Sequence, residues 1–186
     1  AFGEFVPLNT NAGFAFYWGN HPIHGTSFIP ILPSDPDVNY ATLIPREFRG
    51  LNEAQLDKAL LATGLRFVRD EPWRYARLSL GRVKEYFKFW PASASGLMIN
   101  LTRTLSFGLL LPLLLWGLVL TFARKSPDRS HHLSGATLLV IVAGLYTVVH
   151  LLTWTLVRYR LPVDAVVMPF AAVGLTALVE RVAAQT

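Results

Sequence analysis

The chain contains no cysteine, which excludes disulfides, thiolate metal sites and cysteine nucleophiles and leaves the redox compartment undetermined. It is also poor in charge: 16% of its 186 residues are charged, where soluble domains carry about 25%. Acidic residues are the scarcer sign, 12 against 17 Lys and Arg. A Gly-rich nucleotide loop and a Ser-centred nucleophile elbow are both missing. Apolar residues take their place: 52% of the chain is hydrophobic and the mean hydropathy is +0.38. That excess predicts surface that faces lipid.

The formal charge of +5 and a pI near 9.8 would raise nucleic-acid binding in a soluble protein. Here the basic residues stand beside apolar runs and no nucleic-acid motif accompanies them, so anionic headgroups or a phosphorylated lipid are the expected partners. Position 1 is Ala and no charged-then-apolar leader follows it, so the chain reads as a fragment of something longer.

Residues 1–51 read as an extramembrane cap of loops and short strands. Phe14, Phe16 and Trp18 alternate with Ala15 and Tyr17 in a strand-like run, and Pro22, Pro30, Pro33 and Pro36 forbid a long helix. Residues 52–91 read as a helical pair. Asn52 with Gln55 forms a capping box, the first helix runs to Asp70, and Pro72 opens the second.

The second helix, about Trp73 to Trp90, carries Trp73, Ala76, Leu80, Val83, Phe87 and Trp90 on one face, with Arg74, Arg77, Lys84 and Lys88 beside it. This suits a helix lying in the membrane interface. A soluble amphipathic helix on a small extramembrane domain has the same pattern.

Three membrane helices are expected within residues 97–186, at about 104–123, 133–157 and 161–179. Thr104 to Ala123 is free of charge, and His150 is the one ionisable residue from Leu133 to Val157. Both runs reach the roughly 20 residues that a bilayer core demands. The third apolar run, Ala165 to Val179, is shorter. It reaches a full span by including Tyr159, Pro162 and Asp164, with a break or bend expected near Pro169. The fold class is therefore mainly α, polytopic, with a mixed N-terminal cap and an interfacial amphipathic helix.

Two clusters could carry chemistry. Arg158, Tyr159 and Arg160, followed by Pro162 and Asp164, close the second span. Arginines at a span end can clamp a phosphate or diphosphate, or merely snorkel to headgroups and hold register. His150, deeper in the span, reads first as an interhelical hydrogen-bonding residue. In the cap, Asn9, Asn11, Trp18, Asn20 and His21 combine amides with aromatic rings, as sugar sites do. The same residues also make turns and fill small cores. His131 and His132 lack carboxylate or Cys company for a metal site, and Asp35 and Asp37 read as solvated loop residues.

Two stretches resemble bacterial glycosyltransferases of the GT-C type, related to dolichyl-phosphate-mannose protein mannosyltransferases and aminoarabinose lipid A transferases. One is Val6-Pro-Leu-Asn-Thr-Asn-Ala-Gly-Phe-Ala-Phe-Tyr-Trp-Gly-Asn-His-Pro22, and the other runs from His150 to Arg158-Tyr159-Arg160-Leu161-Pro162. The run from Asn52 to Trp90 is similar to the segment that separates them in that family.

The resemblance implies an inverting, multi-pass transferase of the bacterial inner membrane. It would take a sugar from a polyprenyl-phosphate carrier and pass it to a lipid, glycan or protein acceptor at the extracytoplasmic face. It implies that Arg158 and Arg160, with Tyr159, bind the donor phosphate, and that Asn11, Trp18, Asn20 and His21 line or buttress the sugar or acceptor pocket. The family's general base lies in its first extracytoplasmic loop, so no residue of this C-terminal part is assigned as catalytic. A divalent cation at the phosphate stays open. The resemblance puts the Arg124 to Arg129 turn in the cytoplasm, although Lys84, Lys88 and Arg103 leave charge counting near neutral on orientation. The reading of a different class is a non-catalytic membrane module, a transporter segment or assembly subunit with an extramembrane cap.

Overall fold

The structure, a computed structural model, describes residues 11–32, 38–92, 95–123 and 135–185. Asn9, Thr10, Pro33, Asp35, Pro36, Asp37, the turn from Arg124 to Arg129, His131, His132 and Leu133 lie outside them. The described residues form helices and connecting turns, with no strand among them. The chain divides into two compact units.

The first unit comprises the cap, the helical pair and residues 148–157. The strand-like run expected around Phe14 to Trp18 is instead helical, within α1 (Ala12–Asn20). Tertiary packing overrides the alternation: a helix brings Gly13, Tyr17 and Asn20 to one buried side. A methyl group at Gly13 would meet the backbone carbonyl of Asp57, so only glycine permits this approach. Asp57 in turn accepts the Gly13 N–H at 2.7 Å, satisfying one of the open donors at the helix start.

The expected capping box begins α2 (Glu53–Asp70). Asn52 Oδ1 accepts the Gln55 N–H at 2.9 Å, and Gln55 Oε1 accepts the Asn52 N–H at 3.4 Å. Pro72 then opens α3 (Pro72–Tyr86), which ends before the expected Trp90. From Phe87 to Thr147 the chain belongs to the second unit. There the Phe89 carbonyl accepts the Thr104 hydroxyl at 3.1 Å, and the Phe89 ring packs on Phe107 at 6.2 Å.

The second unit holds α4 (Leu97–Arg103), α5 (Leu109–Ala123), the greater part of α6 (Gly135–Leu152), and α7 (Leu161–Ala183). A π turn, Thr104–Gly108, joins α4 to α5. Asn100 anchors the preceding loop: its amide donates to Ala92 O and Ser95 O, both at 3.1 Å, and its Oδ1 accepts the Ala92 N–H at 3.0 Å. Helices α5 and α7 touch backbone to backbone. A methyl group at Gly117 would meet Phe170 O, and one at Gly174 would meet Leu113 O. Small residues at a helix crossing are how membrane helices gain close packing without a hydrophobic drive.

Three helical stretches are long and apolar enough to cross a membrane: Leu97–Ala123, Gly135–Leu152 and Val157–Ala183. Little of each is buried, which fits surfaces solvated by lipid. The second stops short of the expected Val157. Thr153 turns both its N–H (3.1 Å) and its hydroxyl (2.7 Å) onto Val149 O, and the chain leaves the helix to bury Thr155 and Leu156 in the first unit. The third is longer than expected, and α7 takes Pro169 inside it without interruption.

Candidate functional site

In the second unit the Arg-Tyr-Arg run forms a tight 3-10 turn, Val157–Arg160, at the head of α7. Such a turn has three residues per revolution, so side chains two apart point in different directions. Arg158 is exposed, with its guanidinium carbon 5.6 Å from the centre of the Tyr159 ring. Arg160 is 5% exposed. Its Nε donates to Asp164 Oδ2 at 3.1 Å, and its guanidinium lies 3.5 Å from the centre of the Phe107 ring.

The turn therefore gives one arginine to the surface and folds the other into an ion pair backed by an aromatic face. Asp164 Oδ1 is buried without a hydrogen-bond partner among the described residues. Beside it lies a cavity of about 210 Å³ lined by Ser106, Phe107, Leu110, Leu161, Asp164 and Met168, among others. Phe107 and Ser106 come from the π turn. Widened turns of this kind are frequent at functional sites.

In the first unit Asn11 is exposed ahead of α1, His21 is half-buried, and Trp18 and Asn20 are wholly interior. The indole of Trp18 packs against His24 (4.8 Å), Tyr40 (4.9 Å) and Trp154 (6.2 Å). Asn20 donates to Phe16 O at 2.9 Å and accepts from Arg82 at 2.7 Å. Asn20 thus has protein partners for its amide, whereas Trp18 is held by ring packing and its Nε1–H is buried without a hydrogen-bond partner among the described residues. His21 Nδ1 accepts the Ile23 N–H at 3.1 Å, and burial, aided by the charge on Arg74, lowers its pKa.

His24 is held as one tautomer. Its Nδ1 accepts the Ile29 N–H at 3.2 Å, which leaves Nε2–H to donate to Trp18 O at 2.7 Å. Burial brings its pKa down to about 4, against the opposing pull of that bond. No group of three or more potential metal ligands gathers among the described residues.

Helix α3 buries a face other than its apolar stripe. Leu78, Arg82 and Tyr86 are interior, whereas Trp73 is 82% exposed and Leu80 69% exposed. Arg77 and Lys84 are exposed beside that stripe. Arg74 turns inward, pairing with Glu71 at 3.2 Å and donating to Asn20 O at 2.9 Å. Phe87, Lys88 and Trp90 lie beyond the end of the helix.

The residue that sequence reading missed is Arg82. It is fully buried and has no salt-bridge partner among the described residues. Nη2 donates to Gly19 O and Asn20 Oδ1, and Nη1 reaches Ser79 Oγ (3.3 Å), Leu151 O (3.2 Å) and Leu152 O (3.3 Å). The carbonyls of Gly19, Leu151 and Leu152 end α1 and α6. A cation there satisfies orphaned acceptors and meets the negative ends of two helix dipoles. The signal in the sequence was its place midway between Leu78 and Tyr86, four residues from each. A cation inside such an apolar stripe is one the fold must partner.

By helix length, apolarity and exposure the chain is a mainly helical, multi-pass membrane protein. Comparison with protein-family models, with curated proteins and with solved structures finds no match.

Proposed function

We propose that this chain is the C-terminal membrane portion of a glycosyltransferase. It passes a sugar from a polyprenyl-phosphate donor to a lipid, glycan or protein acceptor at the extracytoplasmic face of a bacterial inner membrane. The observation that carries the reading is the exposed Arg158 on a tight turn opening a membrane-length helix, with Arg160 beneath it fixed by Asp164 and Phe107.

Transfer leaves charge on the carrier phosphate, and a preorganised guanidinium stabilises that charge as it develops. Arg158 contacts the phosphate, Tyr159 lies beside it, and Arg160 positions the turn. Asn11 and His21, accessible on the cap, remain candidates for polar contact with sugar or acceptor, while Trp18 and Asn20 support them from within. A divalent cation can share the phosphate. The acid that activates the acceptor belongs to another part of the enzyme.

The test uses the complete enzyme in proteoliposomes with a panel of polyprenyl-phosphate sugars. Arg158→Ala lowers transfer by about 10² to 10³, the usual effect of removing one donor to a developing anion, without loss of folded protein. Unchanged turnover refutes the assignment. Absence of transfer from every donor favours the non-catalytic membrane module.

A further inference from the structure

Helix α3 is an unusual amphipathic helix because its most apolar stripe is left open. Arg82 and Tyr75 tie it to the end of α6: Arg82 donates to Leu151 O and Leu152 O, and the Tyr75 hydroxyl donates to Leu152 O at 3.3 Å. Helix α6 is long and apolar enough to cross a membrane; where it does so, its last carbonyls stand at the bilayer boundary and a helix bonded to them lies at headgroup depth.

An apolar groove of about 510 Å³ runs between the two, lined chiefly by Ala76, Leu80, Val83, Val148, Leu151 and Leu152. Arg77 and Lys84, both exposed, are seven residues apart and so share one side of the helix, next to Trp73 and Leu80. Apolar surface and cations thus sit side by side on the same exposed face. A molecule with a hydrocarbon chain and an anionic head matches both.

We propose that α3 and the end of α6 form a docking site for an anionic phospholipid of the surrounding bilayer. One acyl chain lies in the groove, and the headgroup phosphate meets Arg77 and Lys84. The site shares no residue with the Arg158 turn and does not depend on the transferase reading. Its physical basis is the pairing of buried acyl surface with attraction between basic side chains and anionic headgroups.

The 186 residues contain no cysteine, so an introduced cysteine gives a single label within them, any cysteine elsewhere in the complete protein being replaced first. The whole protein carrying Leu80→Cys or Arg77→Cys is nitroxide-labelled and reconstituted in vesicles of phosphatidylglycerol and phosphatidylcholine. The Leu80 label is expected to be open to oxygen and shielded from a water-soluble nickel chelate, with the Arg77 label reversed. A Leu80 label open to the chelate overturns the proposal.

Native mass spectrometry of the unlabelled protein, released from equal mixtures of the two lipids, reads the headgroup. Retention of phosphatidylglycerol over phosphatidylcholine by about tenfold is expected, and its loss in Arg77→Gln/Lys84→Gln supports the assignment. Both side chains are exposed, so circular dichroism should report an unchanged helix content. Equal retention of the two lipids, or displacement of phosphatidylglycerol by stoichiometric polyprenyl phosphate, refutes it.

Discussion

Replacing Arg82 with Met tests the claim that one buried cation organises the first unit. Met roughly preserves volume and removes every donor. Two acceptors, Gly19 O and Asn20 Oδ1, are buried where they meet the guanidinium. Leaving each without a partner costs about 1–3 kcal/mol. The carbonyls of Leu151 and Leu152 and the Ser79 hydroxyl are only partly buried at their bonds, so water can replace much of what they lose.

Against this stands a gain. The cation is fully buried with no salt-bridge partner among the described residues, and burial holds its pKa down at about 10. Relief of that desolvation offsets part of the loss, which is why hydrophobic replacement of buried charges is sometimes neutral. Here the acceptors stay behind, most of them backbone carbonyls that no rotamer change removes. The balance predicts a net destabilisation of about 2–4 kcal/mol.

Thermal unfolding in detergent micelles, followed by circular dichroism, measures it. Arg82→Lys should fall between Met and wild type, since an ammonium keeps charge but cannot span both helix ends. A Met variant within about 0.5 kcal/mol of wild type, a change typical of surface substitutions, would refute the reasoning.

Three other outcomes follow from the same structure. His24 is neutral and buried with a pKa of about 4, below the roughly 6.5 of an unfolded histidine. The unfolded chain therefore binds the extra proton, and His24 should remove about 3 kcal/mol of stability as pH falls from 6.5 to 4; His24→Gln should flatten that slope in melts across the range. Gly174→Val places side-chain atoms against Leu113 O and should cost about 1–3 kcal/mol by overpacking, read as a lower melting temperature in micelles. Arg160→Ala leaves Asp164 without its cation, so it should lower thermal stability as well as transfer, unlike Arg158→Ala; equal stability of the two variants would contradict their different placements.

The elements written most clearly in the sequence were those with local causes. The Asn52–Gln55 box and Pro72 at a helix start act within a few residues and appear where expected, and the three apolar runs appear as membrane-length helices whose ends differ from those expected. The cap was misread because its alternating aromatics have two periodic solutions. A strand would expose the glycine-mediated contact with Asp57, whereas a helix buries it. That choice depends on a partner more than thirty residues away, which no window reveals. For Arg82 the sequence shows its place between Leu78 and Tyr86 but not its partners, since its acceptors lie at the ends of α1 and α6.

The two clusters singled out for chemistry change meaning by the same logic. Sequence proximity made Arg158 and Arg160 look like a pair of equals, yet a 3-10 turn starts side chains two apart in different directions. Under the proposed transferase reading, one is the ligand-facing group and the other its support. Burial, the bond to Asp164 and the Phe107 face assign support to Arg160. In the cap, likewise, Trp18 and Asn20 are consumed by packing and by Arg82, while Asn11 and His21 stay accessible. In both places backbone geometry decides which of the candidate groups faces outward. If the same division holds in the complete enzyme, variants of Arg158, Asn11 and His21 should alter turnover or substrate affinity in folded protein. Variants of Arg160, Trp18 and Asn20 should first lower the melting temperature, and a Trp18→Ala protein with an unchanged melt but altered KM would reverse the assignment.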